Sequence, residues 1–397
     1  MPELSSRHIF ITVILLGVLA MLGPVGHDIF IPSIPNIADG LNTTTNQVSV
    51  SISAIFLGNA IGTLFHGPLA DRYGRKIVIL WVLGIYALAA TAAALSPNVE
   101  TLIIFRFFQG LALSGGRVLS AAVARDLFEK EKLGKVMSDI MFIAAIAAVI
   151  APLIGGYTAK YLPWQSALYF MAIFAGLVFI LFFMVFKEHS VTERKDSLRI
   201  TFIIRDLITI TSNRPFLVYS LCGGFMLAGL IVFLSVSANI IIASYAVPAD
   251  VYGFLFSSVS LSFLFGALVG SRLVIKIGLN HMIKWGVLLG LFGASLMLVL
   301  AFLEIRTSYA VIVPMWIFIF GLAFVNPNSV AGALQPFPNI AGAASSLTNF
   351  IRGILGAVVS FGISFFPHDD AFVLALTIFI LGCVAALFFR FGILKLN

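Results

Sequence analysis

Apolar residues in this chain gather in long stretches separated by short polar intervals. A helix that crosses a bilayer needs about 20 mostly apolar residues. Twelve stretches meet that length, at roughly 9–30, 49–68, 77–95, 100–123, 138–158, 165–186, 216–242, 251–273, 284–303, 309–333, 341–366 and 371–391. An even number of crossings puts both ends of the chain on one side. The connections alternate in charge: Arg72, Arg75, Lys76, Arg125, Lys130, Lys132, Lys135, Arg272, Lys276 and Lys284 fall on the side of the termini, against Lys160 and Arg306 on the other. The positive-inside rule therefore predicts cytoplasmic termini.

The longest polar interval, Lys187 to Arg214, divides the twelve stretches into six and six. The expected organisation is a bundle over 1–186, a cytoplasmic linker over 187–215 and a second bundle over 216–397. Sliding the second half onto the first by 204 positions aligns Gly62 with Gly266, Leu64 with Leu268, Leu69 with Leu273, Arg72 with Lys276 and Gly74 with Gly278. This weak, position-specific repeat predicts an all-α polytopic membrane protein of 12 transmembrane helices in two pseudo-symmetric six-helix bundles. Transporters with a central site between parallel repeats are built this way.

Composition agrees, since 60% hydrophobic residues, 10% charged residues and a mean hydropathy of +1.08 do not describe a soluble protein of 397 residues. The net charge of +7 follows from the loop bias and implies no nucleic-acid partner. No cleavage site follows the first apolar run, so that segment reads as retained. Cys222 and Cys383 both lie in apolar segments and read as packed free thiols, with neither a disulfide framework nor a metal site. No phosphate-cradling loop, metal-ligand spacing or nucleophile-base motif is present. A non-enzymatic protein without cofactor is expected, its work driven by the proton gradient.

Gly67-Pro68-Leu69-Ala70-Asp71-Arg72-Tyr73-Gly74-Arg75-Lys76 occupies the turn after the second stretch. This segment resembles the loop motif of the major facilitator superfamily. The resemblance implies a conformational latch: Gly67 and Gly74 for close approach and a tight turn, Asp71, Arg72 and Arg75 pairing with a neighbouring helix end, and Asp126 as that neighbour. Arg106-Phe107-Phe108-Gln109-Gly110 is similar to the family's Arg-x-x-Gln-Gly motif. Ala151-Pro152-Leu153-Ile154-Gly155-Gly156 is similar to the motif of drug:proton antiporters, whose bearers here are Pro152, Gly155 and Gly156; Ala151 stands where glycine is usual. Gly23 to Pro35 looks like the Asp-x-x-x-Pro pattern of the Bcr/CflA-type transporters, with Asp28 as its acid. By resemblance alone, the site is the inner membrane of a Gram-negative bacterium.

Charges deep in the apolar stretches are the chemical candidates, because each costs about 3 kcal/mol or more to place there. Burial in low dielectric disfavours the charged form of a carboxylate, which suits Asp28 to carrying a proton, unless it lies at the mouth of its span. His27 is adjacent and faces elsewhere. Arg106, by resemblance, takes part in proton coupling; a fixed bond to backbone carbonyls is the competing role. Arg117, eleven residues on, sits about 16 Å along the same helix face. Arg352 has Asn349 one turn before it. Guanidiniums on Arg117 and Arg352, one from each half, favour an anionic ligand, although carbonyls and Asn349 also satisfy such groups. Asn59 and Asn326 are further candidates for the cavity wall. The expected function is a proton-coupled secondary transporter exporting amphiphilic small molecules or drugs. The alternative keeps the fold and moves a polycarboxylate metabolite such as a siderophore. Partners are then the small-molecule substrate, protons and lipid; a monomer suffices.

Overall fold

The computed structural model describes residues 6–128, 130–186, 207–366 and 371–395. A bilayer offers no water to backbone amides, so a spanning segment satisfies them internally as a helix. Among the described residues there are 12 helices long and apolar enough to cross: Ile9–Gly40, Thr45–Tyr73, Arg75–Ala94, Val99–Leu127, Lys132–Tyr161, Gln165–Val185, Arg214–Ser244, Ala249–Ile277, Leu279–Phe302, Ser308–Leu334, Ala341–Ile363 and Phe372–Phe391. No strand occurs among them. Most of the linker expected over 187–215 lies outside the described residues.

The first span departs most from the pattern of apolar residues. It extends ten positions past the expected end at residue 30, to Gly40, as a chain of short pieces: Ser6–Ala20, Leu22–Asp28, the 3-10 turn Ile31–Ser33 and Ile34–Gly40. Pro32 and Pro35 each open one of the later pieces, where a missing N–H costs nothing. Asp28 consequently lies inside the membrane segment rather than at its mouth.

The repeat is visible in the helices themselves. The second span, Thr45–Tyr73, and the eighth, Ala249–Ile277, are offset by the same 204 positions at both ends. Each ends on a glycine in left-handed conformation, Gly74 at φ 92° and Gly278 at φ 82°, which a residue with a side chain adopts only with strain. A tight turn then feeds the next span in both halves. Within the first half, the second and fourth spans touch through Gly58 and Gly110: a Cβ on Gly58 would stand 2.8 Å from the Leu111 nitrogen, and one on Gly110 2.8 Å from the Ile55 carbonyl carbon. Small residues at such crossings let backbones approach where no hydrophobic effect drives association.

The two halves meet along two seams. Along the second and eleventh spans, Asn46 donates to the Phe366 carbonyl at 3.0 Å, Ser53 and Ser360 share a hydrogen bond of 2.7 Å, and a Cβ on Gly353 would lie 2.7 Å from that of Ala60. Thr63 reaches the Ser346 carbonyl at 3.5 Å. One turn nearer the termini, a Cβ on Gly67 or Gly342 meets no atom within 4 Å. Along the fifth and eighth spans, Lys160 pairs with Asp250 at 2.7 Å and Ser257 donates to the Val149 carbonyl at 2.7 Å. The halves are thus joined along both seams on the side away from the termini, and between the second and eleventh spans the space beside Gly67 and Gly342 is open toward the termini.

Candidate functional site

Three clusters of charged side chains lie within the described spans. In the first, Asp28, 4% exposed, ends the piece Leu22–Asp28 against its neighbour: His27 Nδ1 and Asp28 Oδ1 are 2.6 Å apart. The imidazole stacks on Phe56 of the second span at 5.4 Å between ring centroids. Asn59, a turn further along that span and half-buried, makes no hydrogen bond among the described residues. From the other half comes the fully buried Tyr252, whose hydroxyl bonds Ser237 at 2.7 Å. The turn Ile31–Ser33 that follows Asp28 packs against the seventh and eighth spans, so Asp28 sits close to where the halves meet.

Arg106 forms the second cluster and is fully buried. Its Nη1 donates to the Gly26 carbonyl at 2.9 Å and to Gln109 Oε1 at 2.6 Å. The guanidinium lies 4.2 Å from the centroid of the Phe30 ring, an attraction of about 2 kcal/mol when desolvated. Among the described residues it forms no ion pair, and its Nε and Nη2 have no hydrogen-bond partner. No acid of the described residues is among its contacts: Arg106 grips the backbone two residues before Asp28, and Asp28 turns to His27. Arg106 meets the first span, whereas Arg117, eleven residues on, meets the eleventh.

The third cluster spans both halves. Arg117 Nη2 donates to Asn349 Oδ1 at 3.1 Å, and Arg117 keeps an exposed surface although it lies mid-span, as a side chain in the wall of the parted cleft does. Arg352, 2% exposed, donates through Nη2 to Asn326 Oδ1 and to the Gly223 carbonyl at 3.4 Å, while its Nε has no partner. Gly223 makes room for it, since a Cβ there would stand 3.0 Å from Nη2. Asn349, the partner of Arg117, stands one turn before Arg352 on the eleventh span. Arg117, Arg352, Asn349 and Asn326 are brought together as the sequence suggested; Asn59 is not among them.

The remaining motifs are structural parts of the same machine. Arg75 Nη2 meets Asp71 Oδ1 at 2.6 Å and Nε meets Asp126 Oδ2 at 2.8 Å, tying the turn to the end of the fourth span. Arg72 stays out of this cluster and lies over the Tyr73 ring at 5.3 Å. Gly74 supplies the turn, whereas Gly67 approaches no helix. In the fifth span the two glycines face different neighbours. A Cβ on Gly155 would stand 2.9 Å from the Ile29 Cα, and one on Gly156 would stand 2.6 Å from the Ala249 carbonyl and 3.1 Å from the Gly253 Cα. Pro152 gives its carbonyl to the same crossing, 2.6 Å from a Cβ on Gly253.

These motifs and the paired six-helix halves find a direct counterpart, because the sequence profile of the Major Facilitator Superfamily matches residues 16–361. The chain belongs to the major facilitator superfamily. Within it, the chain is 31% identical to the bicyclomycin resistance protein homolog of Haemophilus influenzae over 92% of both chains. It is 27% identical to multidrug resistance protein D of Escherichia coli, covering 94% of this chain and 93% of that one, and 24% identical to a chloramphenicol resistance protein of Pseudomonas aeruginosa, covering 91% and 85%. These relatives confirm the resemblance to Bcr/CflA-type transporters. The fold is shared with a D-xylose-proton symporter at a TM-score of 0.78 and 15% identity, covering 97% of this chain and 98% of that one. The xylose transporter XylE of E. coli, in a partially occluded inward-open conformation, matches at 0.75 and 16%, covering 97% of both.

Some members of the site carry no signal in the sequence. Ser53, Ser235 and Ser360 form a buried hydroxyl chain across the halves, and Asn239 donates to Ser49 at 3.1 Å. Serines inside apolar spans read as neutral, and only the fold shows which of them face one another. The Lys160–Asp250 pair joins residues 90 positions apart and is equally invisible from spacing.

Proposed function

We propose that this superfamily member is a proton-coupled exporter of amphiphilic small molecules, working by alternating access in a bacterial inner membrane with both termini cytoplasmic. The reading rests on the placement of Asp28. Among the described residues it is the buried acid of the spans, it ends the piece Leu22–Asp28 of the broken first helix, and it lies just before the turn that packs against the other half. Protonation neutralises it there, so the energy of bringing the halves together on either side depends on whether a proton is bound. Arg106, holding the Gly26 carbonyl, passes movement of that broken segment to the fourth span. With the termini cytoplasmic, the described arrangement is joined outward along both seams and open inward between the second and eleventh spans. The names of the relatives, which denote resistance to bicyclomycin, chloramphenicol and multiple drugs, support export of drug-like molecules.

The test is proton release from purified protein in weakly buffered detergent solution on adding chloramphenicol or a lipophilic cation. Wild type releases protons on ligand addition and Asp28→Asn, folded equally well, does not. Equal release from the variant sinks the assignment of Asp28, and no release from either sinks proton exchange.

A further inference from the structure

The three deep arginines differ in what balances them. Arg106 is closed within the first half, against carbonyl, amide and ring. Arg117 and Arg352 lie on either side of the junction between halves, and among the described residues neither forms an ion pair. The acceptors of Arg352 are Asn326 Oδ1 and the Gly223 carbonyl, with no carboxylate among them. Two cations that repel each other are thus held mid-membrane by the neutral amides Asn349 and Asn326 and one backbone carbonyl.

Such an arrangement is costly, and a buried charge is ordinarily paired. Neutral acceptors bind a guanidinium about half as strongly as ionised ones do, and a carboxylate or phosphate offers two oxygens to its fork. Either amide is therefore readily displaced by an oxyanion arriving from the cleft. Gly223 lets the guanidinium come up to its backbone carbonyl, and the unpartnered Nε of Arg352 provides a second donor for a bidentate contact.

We infer that Arg117 and Arg352 form a split anion subsite, one guanidinium from each half, for a ligand carrying two oxyanion groups, carboxylate or phosphate. Asn349 and Asn326 hold the two forks until the ligand replaces them. Because Arg117 belongs to the first half and Arg352 to the second, a dianion bridging them draws the halves together on the terminus side. The inference deepens the transport reading given above and depends on it for the ligand's route, though not for its binding. It changes the preferred cargo from neutral or cationic drugs to amphiphiles with acidic groups.

The experiment is calorimetric titration of the purified full-length protein, at low ionic strength, with citrate, succinate and pyrophosphate, and with chloramphenicol and tetraphenylphosphonium as contrasts. At least one of the three polyanions binds wild type, at least tenfold more weakly to Arg117→Gln, and with no measurable heat to Arg117→Gln/Arg352→Gln. Carboxylates against pyrophosphate separate the two oxyanion chemistries. Arg117 is exposed, so its single variant decides the matter if the buried Arg352→Gln fails to fold, and Arg352→Lys retains part of the affinity. Equal polyanion binding by wild type and Arg117→Gln, or no polyanion binding at all, overturns the subsite. Proton release measured in the same preparation keeps the claims apart: polyanion binding that is arginine-dependent but moves no protons supports the subsite and contradicts proton-coupled transport.

Discussion

At the residue scale, the informative positions are charges that apolar surroundings make costly. Asp28, Arg106, Arg117 and Arg352 stand out in the sequence for that reason alone, since an isolated charge in a run of 20 apolar residues is visible without a fold. Their partners are less visible. Asn349 follows from its place one helical turn before Arg352, but the bond from Arg106 to the Gly26 carbonyl joins positions 80 apart and obeys no spacing rule. The pairing of Asp28 with His27 is likewise unexpected, because in a regular helix neighbouring side chains diverge by about 100°. Two predictions belong here. Asp28→Asn lowers ligand-driven proton movement at least tenfold while leaving the melting temperature within a few degrees, measured by fluorescence-monitored unfolding. Asp71→Asn removes one of the two acids on Arg75; the pair is partly exposed, so about 1 kcal/mol or less is lost. That is too little to unfold the protein and enough to shift a conformational equilibrium about fivefold. Transport therefore falls several-fold with unchanged membrane abundance, read by quantitative blotting beside an efflux assay. Unchanged transport contradicts the latch.

At the element scale, the twelve spans were legible because their length and apolarity are imposed by the bilayer. The first span was not, since its apolar run thins near residue 30 and its continuation to Gly40 is a string of short pieces that no 3.6-residue period marks. Glycines were legible as motifs, but not which helix each one touches. Gly155 serves the first span and Gly156 the eighth, so substitution at the two has different consequences. Gly156→Val pushes a side chain into the Ala249 carbonyl and the Gly253 backbone, neither of which is flexible, at an overpacking cost of about 1–3 kcal/mol. The strain falls on the seam away from the termini and favours its opening. Cysteines placed at positions 160 and 250 then cross-link more slowly in Gly156→Val than in the parent; an equal rate contradicts the role of Gly156 in closing that seam.

At the scale of the whole molecule, two related halves are joined at one end and open between the second and eleventh spans at the other, with Asp28 close to the junction and an arginine from each half in the cleft. The 204-residue repeat, visible as a handful of aligned residues, reappears as two helices of identical offset bounds and two left-handed glycines. The closed end is held by Lys160–Asp250, Asn46–Phe366 and the Ser53–Ser360 chain, none of which the sequence announces. Lys160→Glu replaces an attraction by a repulsion and shifts the population toward opening on that side. The double variant Lys160→Glu/Asp250→Lys restores the parent's behaviour, as read by the distance between spin labels on the far ends of the fifth and eighth spans. A double variant that stays open shows that the pair does not act as a clasp.

The most direct test of proton-coupled export is ligand flux in proteoliposomes with a proton gradient imposed across the membrane and no other energy source. Chloramphenicol and a dicarboxylate amphiphile serve as cargo, and a trapped pH dye reports the interior. The account predicts cargo movement against its gradient, with protons moving the opposite way, and the loss of both in Asp28→Asn. Cargo that only equilibrates, with no proton movement in wild type and no difference in the variant, contradicts it.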